Sequence, residues 1–377
     1  MSLTTDPASL IAATVAERAK QLTPEQVRTA CSLARAERLL GREYHGRFLI
    51  ELLQNAADAW RISTDADQRS RLAILITEEP ALLVANQGEA FPASAVVESL
   101  GHIGASTKPE GEAIGHKGIG FKSVLEITLT PELYSNLQAS GEPLALSFDP
   151  REALKVIRDA SPDWDVHVAT IQSAREDPLT AVPVLRFPQP TTELPPPVAT
   201  LARDGFDTVI RLPFNDGLRP DAGLDEGTWI DVVRDALADL TDEMLLLLGT
   251  FDEVQIEDRL AGDSVTLRPT WQESAEVGRG VSRELVAVSR NEVVTSRWRL
   301  YRQTLSTSHG LAAEIAAGMR LNADADRCEV IAIDPEEPAA PFHLFFPTRI
   351  SSGLPLLLHG YFKVNAARTV EHGTGYG

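Results

Sequence analysis

The chain has 377 residues, of which 43% are hydrophobic and 24% are charged, as expected for a soluble globular protein of about two domains. Its 35 basic and 54 acidic residues give a net charge of −19, which argues against a dominant nucleic-acid surface but leaves room for a local basic patch. The sequence has no basic leader, no apolar run near the roughly 20 residues that span a bilayer, and no metal-ligand spacing around Cys31 and Cys328, so we expect a cytoplasmic protein with reduced thiols.

The first part of the chain is predicted to be helical. An alanine-rich amphipathic helix is expected over 7–20, and a second helix over 24–39 follows Thr23 as its cap, with Pro24 at the first helical position. A third helix is predicted over 43–61. The apolar residues on its sheet-facing side are Phe48, Leu49, Leu52, Leu53 and Ala56.

A β-hairpin is predicted next. The run RLAILITEEPALLVANQG, residues 71–88, has two strand-like halves around a turn at Glu78–Pro80. The elements expected after it are a short helix over 93–102, a mobile lid over 103–114, a helix over 118–127 and a strand over 144–150.

The middle of the chain gives weaker signals. A helix is predicted over 152–160, a proline-rich loop over 188–205 and an alternating strand over 206–214. Residues 226–248 are predicted to form one long helix, with Gly249 as its C-cap.

The last third of the chain is predicted to be β-rich. Short strand-like runs dominate from residue 252 onward, so we place a domain boundary near residue 250. A first domain would cover 1–249, and a second, smaller one would cover 250–377. The chain ends at GTGYG without a terminating helix, which suggests a piece of a longer protein.

Two motifs hold most of the residues with chemical potential. The run ELLQNAADA places Glu51, Asn55 and Asp58 at i, i+4 and i+7, on one stripe of the predicted helix. The run AIGHKGIGFKSV at 113–124 is a glycine-dense turn that opens a helix, a geometry that holds phosphates on backbone N–H groups. Between them, VANQGEAF at 84–91 is a strand that ends in a tight glycine turn. The parts of an ATP site are present in order: an acid–amide helix, a glycine turn and a phosphate-binding loop.

Two other phosphate-binding motifs do not fit. The run GIGFKS has Phe121 where a P-loop requires contiguous Gly-Lys-Ser, and a dinucleotide-binding G-x-G-x-x-G would place Ser123 at its third glycine. A surface helix or a glycine loop explains either segment alone, but it does not explain their order and spacing.

The same residues resemble the GHKL superfamily: gyrase-type topoisomerases, ninety-kilodalton heat-shock chaperones, histidine kinases and MutL-type mismatch-repair proteins. The residues that match its first motif and its glycine motif are Glu51, Asn55, Ala56, Asp58, Ala59, Gly115, Gly118 and Gly120. The runs ELLQNAADA and GIGFKSV are more similar to the sacsin N-terminal ATP-binding-like branch. That branch also has a serine–lysine loop, like Ser106, Thr107 and Lys108 here.

The resemblance implies an α+β fold: a Bergerat-type sandwich of helices on a mixed, mainly antiparallel sheet, followed by a smaller β-rich domain. It also implies ATP and Mg²⁺ as ligands, with Asn55 as the metal ligand. The catalytic candidates are Glu51, which would orient or activate the water, and Arg368, which would reach the γ-phosphate from the second domain, with Lys363 as an alternative. The other nucleotide-binding candidates are Asp58, Ala59, Asn86, Gly88, Ser106, Thr107, Lys108, Gly115, Lys117, Gly118, Ile119, Gly120, Phe121 and Thr208.

Two positions depart from the pattern of the broad family. The Asp that usually contacts adenine is replaced by Asn86, which can still accept from the adenine amine. The second glycine of that motif is Ala90. With these two changes, a weak or inactive ATPase is also consistent with the sequence.

Three functions are consistent with the motifs. The first is a Mg²⁺-dependent ATPase whose lid closure drives self-dimerisation or clamping on a protein client. The second is an ATP-sensing module, with weak or no hydrolysis, that regulates a downstream effector domain in a larger bacterial DNA-processing or anti-phage defence protein. A histidine-kinase-like phosphotransferase ranks last, because no phosphoacceptor helix pair precedes the site and His45 lies inside the site helix. None of the three involves a membrane.

Overall fold

The computed structural model describes residues 7–43, 47–63, 69–91, 120–139, 143–171, 177–214, 228–306, 312–322, 330–333 and 340–360. The α-helices are α1 (Pro7–Lys20), α2 (Pro24–Glu43), α3 (Phe48–Ser63), α4 (Pro150–Ala160), α5 (Trp164–Ala169), α6 (Pro196–Arg203), α7 (Thr228–Ala238) and α8 (Asp242–Leu248). The 3₁₀ helices are η1 (Gly120–Glu126), η2 (Pro178–Ala181) and η3 (Val184–Arg186).

The strands before residue 250 are β1 (Ser70–Ile76), β2 (Ala81–Asn86), β3 (Glu132–Ser135), β4 (Leu144–Ser147), β5 (Gln189–Pro190) and β6 (Thr208–Pro213). Those after it are β7 (Phe251–Asp258), β8 (Asp263–Gly278), β9 (Val281–Arg290), β10 (Val293–Ser306), β11 (Ala312–Leu321), β12 (Val330–Ile331), β13 (Pro341–Leu344), β14 (Phe346–Ser351) and β15 (Leu357–His359).

These strands form one mixed sheet. Its order is β14-β13-β15-β11-β10-β9-β8-β7-β1-β2-β6-β3-β4-β5, and β12 pairs with β11. Among the described strands, the parallel pairs are β1–β7 and β13–β15. The predicted α+β class, with helices on a mixed and mainly antiparallel sheet and a β-rich part after residue 250, is therefore confirmed. No helix in the described part of the chain is long and apolar enough to cross a membrane.

The two faces of the sheet have separate apolar cores. Alternate residues of a strand point to opposite faces, and in β2 Leu82 and Val84 belong to a large core that includes the apolar side of α3. Leu83 and Ala85 belong to a smaller core under α6. Asn86 continues the Leu82–Val84 alternation, so β2 ends with its amide on the α3 face.

The sheet is continuous across the predicted domain boundary. β7 pairs in parallel with β1, from Ser70↔Phe251 to Ile76↔Asp258. The first strand after residue 250 is thus the direct neighbour of a strand in the predicted first domain. The division into 1–249 and 250–377 stays a prediction.

The prediction of a loop over 188–205 is wrong for its second half, because α6 (Pro196–Arg203) forms there. Its two prolines occupy the first turn of the helix. A proline is tolerated there because the missing N–H has no intrahelical acceptor and its φ is already helical. The triplet at 195–197 therefore begins a helix.

The predicted long helix over 226–248 is interrupted. α7 ends at Ala238 and α8 begins at Asp242, with Thr241 as an extended N-cap at φ −101° and ψ 161°. Gly249 is confirmed as the C-cap, with left-handed φ 60° and its N–H bonded to the Leu245 carbonyl.

The other early elements largely match their predictions. The hairpin forms with Ile76 opposite Leu82, and the helix predicted over 118–127 is the 3₁₀ helix η1 in its described part. The strand predicted over 144–150 ends at Ser147, because Asp149 caps α4 by accepting from the Arg151 N–H. The predicted helix over 93–102 and lid over 103–114 lie outside the described residues.

Candidate functional site

Helix α3 presents the acid–amide stripe that the sequence predicts. Its apolar residues are buried against the sheet, while Glu51 and Asn55 remain half-buried and Asp58 is fully buried. The stripe therefore begins at an accessible carboxylate near the amino end of the helix and ends at a buried one.

Arg47 contacts Glu51 at the accessible end of this stripe. Its guanidinium Nη2 lies 3.6 Å from Glu51 Oε1, and its carbonyl accepts the Glu51 N–H at 3.1 Å. The ion pair restricts the direction of the Glu51 carboxylate. Arg47 was not identified from the sequence, although its i, i+4 spacing from Glu51 is a signal for such a pair.

The turn after β2 rests directly on α3. Gly88 has φ +121°, and a Cβ there would lie 2.7 Å from both the carbonyl carbon and the oxygen of Ala59. The Glu89 N–H also donates to the Ala59 carbonyl at 2.8 Å. Only glycine permits this backbone conformation and this approach. The end of β2 is therefore fixed against α3 one residue after Asp58.

Asp207 holds the same turn from the other side. Its Oδ2 accepts the Gly88 N–H at 2.9 Å, and its own N–H donates to the Asn86 carbonyl at 3.0 Å. Asp207 was also missed by the sequence analysis, since only the pairing of β2 with β6 brings it near Gly88.

Asn86 and Thr208 are direct partners across β2 and β6. Directly opposed residues of an antiparallel pair share a face of the sheet, so both side chains lie on the α3 face, and both are buried. Thr208 Oγ1 is 2.8 Å from the Ser135 hydroxyl, and that hydroxyl accepts the Phe91 N–H at 2.9 Å. A small polar group of side chains thus ends an otherwise apolar surface, at the point where Gly88 meets α3.

The described end of the glycine motif lies beside α3. η1 begins at Gly120 and packs between α2 and α3, so two motifs about sixty residues apart in the sequence meet in the fold. The Phe121 ring is buried with its centroid 6.0 Å from that of Phe148. A nucleotide contact at Phe121 would therefore come from its backbone.

Two buried ionisable side chains belong to α2 and η1, which pack against each other. Lys122 is 1% exposed and Glu37 of α2 is 2% exposed. Burial lowers the pKa of Lys122 to about 8, against the opposing effect of the Glu37 charge. Burial likewise raises the pKa of Glu37 to about 8, although the backbone N–H groups of Val184 and Leu185 and the Lys122 charge stabilise its ionised form.

The structure brings part of the predicted site together. Asp58, Ala59, Asn86, Gly88 and Thr208 surround the contact between α3 and the β2 turn, and Gly120 lies in the element packed on α3. The predicted residues that lie outside the described part of the chain are Ser106, Thr107, Lys108, Gly115, Lys117, Gly118, Ile119, Lys363 and Arg368. Within the described residues, no group of three or more His, Cys, Asp or Glu side chains could hold a metal ion.

Comparisons with known proteins give limited likenesses. No protein-family model matches the chain. Protein NO VEIN of Arabidopsis thaliana is 32% identical over 108 residues, which are 28% of this chain and 4% of that protein. The ATPase region of Saccharomyces cerevisiae topoisomerase II, solved bound to ICRF-187 (dexrazoxane), aligns over 69% of this chain and 58% of that one, with 11% identity and a TM-score of 0.34. Because the chain matches such a small part of NO VEIN and the structural likeness is low, neither comparison assigns a family or a function.

Proposed function

We propose that the chain is a GHKL-type module that binds ATP with Mg²⁺ along α3 and hydrolyses it. One observation carries the proposal: Gly88 seats the end of β2 on Ala59, which places Asn86 and Thr208 beside the acid–amide stripe. Stretches that lie far apart in the sequence thus meet, and this meeting supports the site that the family resemblance implies.

The order of the groups along the stripe matches the order of adenine and phosphates in an extended ATP molecule. The adenine would lie near Asp58, Asn86 and Thr208, where side-chain oxygens can accept from its amine. Glu51 is seven residues before Asp58, which is about 10 Å along the helix axis. The phosphates and the metal would therefore lie toward Asn55 and Glu51.

The half-buried end of the stripe has the groups that phosphoryl transfer to water needs. The reaction requires a positioned water and neutralisation of the phosphate charge. Glu51 would orient the attacking water or accept its proton, with Arg47 directing the carboxylate. The Asn55 amide oxygen would hold Mg²⁺, which takes few protein ligands and fills its remaining positions with water and phosphate oxygens.

Sequence alone supports the other parts of the proposal. The run GHIGASTKPEGEAIGHK at 101–117 is rich in glycine and poor in apolar residues, and it would close over the triphosphate. Arg368 would then contact the γ-phosphate. This closure would drive self-dimerisation or clamping on a protein client.

The test is the Glu51→Ala variant. It should retain ATP binding and lose turnover by about 10²–10⁴-fold, the usual contribution of a general base. Glu253→Ala is the matched control, since Glu253 is 16% exposed and paired with Arg268, while Glu51 is 14% exposed and paired with Arg47. Phosphate release by Glu51→Ala at the parent rate would remove Glu51 from this role.

An ATP-sensing module is the second candidate, favoured by Asn86 in the position where the family usually has Asp. The Asn86 amide already donates to the Gln87 carbonyl at 3.0 Å. Such a module would regulate an effector in a larger bacterial DNA-processing or defence protein. Binding of ATP without release of ADP and phosphate would favour it over the ATPase.

A further inference from the structure

The turn that follows Asn86 is bound by the α6–β6 loop, residues 204–207. Asp207 makes two of these contacts: its Oδ2 accepts the Gly88 N–H at 2.9 Å, and its own N–H donates to the Asn86 carbonyl at 3.0 Å. One residue of the loop therefore holds the backbone on both sides of the turn's first peptide groups.

Gln87 connects the same turn to the loop and to β1. Its Nε2 donates to the Gly205 carbonyl at 3.0 Å, and its Oε1 accepts the Arg71 N–H at 3.0 Å. The Arg71 guanidinium in turn donates to the Asp204 carbonyl and lies 5.1 Å from the centre of the Phe206 ring. The turn, the start of β1 and the α6–β6 loop are therefore joined by side-chain hydrogen bonds.

These bonds determine how the Asn86 amide faces the candidate site. The side chain is 6% exposed, and its Nδ2 donates to the Gln87 carbonyl at 3.0 Å. An amide that is held through its nitrogen presents its oxygen as the acceptor. A purine with an amine at its sixth position can donate to this oxygen, whereas a purine with a carbonyl there would place an acceptor against an acceptor.

We propose that Asp207 and Gln87 are positioning residues that direct the Asn86 oxygen at the purine amine and so set a preference for adenine over a 6-oxo purine. This inference rests on the proposed nucleotide-binding function, which it deepens by assigning base specificity to residues that do not touch the nucleotide. A carboxylate offers two equivalent acceptors, but an amide can turn and offer its nitrogen instead. The amide of Asn86 therefore depends on a fixed Gln87 carbonyl.

The test compares a non-hydrolysable ATP analogue with the matching inosine analogue, which carries a carbonyl in place of the amine. Titration calorimetry of the whole chain should show about tenfold tighter binding of the ATP analogue, the effect of about one hydrogen bond. Asp207→Ala should lose this tenfold and bind the inosine analogue as the parent does, and Gln87→Ala should do the same. Asp207→Asn should keep the preference, because its amide oxygen can still accept the Gly88 N–H.

The matched control is Asp149→Ala. Asp149 is half-buried like Asp207, and its carboxylate also accepts a backbone N–H, that of Arg151 at 2.7 Å. This variant should lose stability and keep the parent preference between the two nucleotides. A second measurement, hydrogen exchange of the Gly88 amide without nucleotide, should be faster in Asp207→Ala and close to the parent rate in Asp207→Asn. All measurements are made at a temperature where every variant is folded.

Three results would overturn the inference. Equal binding of both analogues by the parent would show that Asn86 does not read the base. An equal loss of affinity for both analogues in Asp207→Ala would make Asp207 structural only, and so would a loss that Asp207→Asn does not rescue. If the parent binds neither analogue, the proposed function fails and the base preference with it. Faster Gly88 exchange in Asp207→Ala would then still support the positioning of the turn, and unchanged exchange would remove that as well.

Discussion

Gly88→Ala should disturb the contact that defines the candidate site. The methyl group would lie 2.7 Å from the Ala59 carbonyl carbon and oxygen and 2.8 Å from the Trp60 nitrogen. All three are backbone atoms of α3, so no side-chain rotation can relieve the overlap. The turn would have to lift away from the helix, and Asn86 would move with it.

The cost of this substitution has two parts. An alanine at φ +121° is strained at about 1–3 kcal/mol, because this region of backbone conformation belongs almost only to glycine. Inserting a methyl group into a closely packed contact costs about a further 1–3 kcal/mol. Gly278→Ala separates the two parts, since Gly278 has φ +108° with nothing within 4 Å of its added Cβ. Gly88→Ala should therefore be less stable than Gly278→Ala by about 2 kcal/mol, the overlap alone.

Urea unfolding of the two variants and the parent measures this difference directly. Binding of an ATP analogue should weaken in Gly88→Ala and stay at the parent value in Gly278→Ala, because only the first moves Asn86 relative to Asp58. Equal free energies of unfolding for the two variants would refute the close approach of the turn to α3. Equal nucleotide affinity would remove this contact from the binding site.

Asn55→Ala should abolish the Mg²⁺-dependent part of nucleotide binding and leave the fold intact; calorimetry that gives unchanged affinity with Mg²⁺ present would exclude Asn55 as the ligand. Arg368→Ala should slow ATP turnover by up to about 10³-fold, as for an arginine finger, without changing ADP affinity, and parent turnover would exclude it. Burial, with Arg302 and Arg61 nearby, lowers the pKa of His359 to about 4, whereas the unfolded chain takes up this proton below about pH 6.5. The free energy of unfolding should therefore fall by about 3 kcal/mol as the pH drops from 6.5 to 4. Urea unfolding at a series of pH values should show a flatter pH dependence for His359→Asn. An unchanged slope in this variant would assign the pH dependence to other groups.

The spacing of the candidate residues on α3 could be predicted, because it depends only on the periodicity of one helix. The positions of Glu51, Asn55 and Asp58 follow from helical periodicity. The helix predicted over 43–61 is α3, but it runs from Phe48 to Ser63, and Glu43 instead ends α2. Asn86 and Thr208 are partners across β2 and β6, and the adenine contact that the family resemblance implies for both stays a prediction. Periodicity alone could not give this register, since more than a hundred residues separate the two strands.

The supporting contacts could not be predicted from sequence, because they depend on how distant elements meet. Asp207 and Ser135 act only because β6 lies between β2 and β3. Proline content gave the wrong structure for α6, since a composition rule does not distinguish the first turn of a helix from a loop. The break at Thr241 was missed because α7 and α8 both continue an apolar pattern.

The continuity of the sheet changes how the region after residue 250 relates to the site. β1 has β2, with Asn86 at its end, on one side and β7 on the other. Arg61, at the carboxyl end of α3, donates to the Leu248 carbonyl at 2.7 Å and lies 5.3 Å from the centre of the Phe345 ring. A shift of α3 on nucleotide binding would therefore act on the later strands through direct contacts. Cutting the chain at residue 249 would remove the partner of β1, so the contribution of the later region to catalysis has to be measured by substitutions in the whole chain.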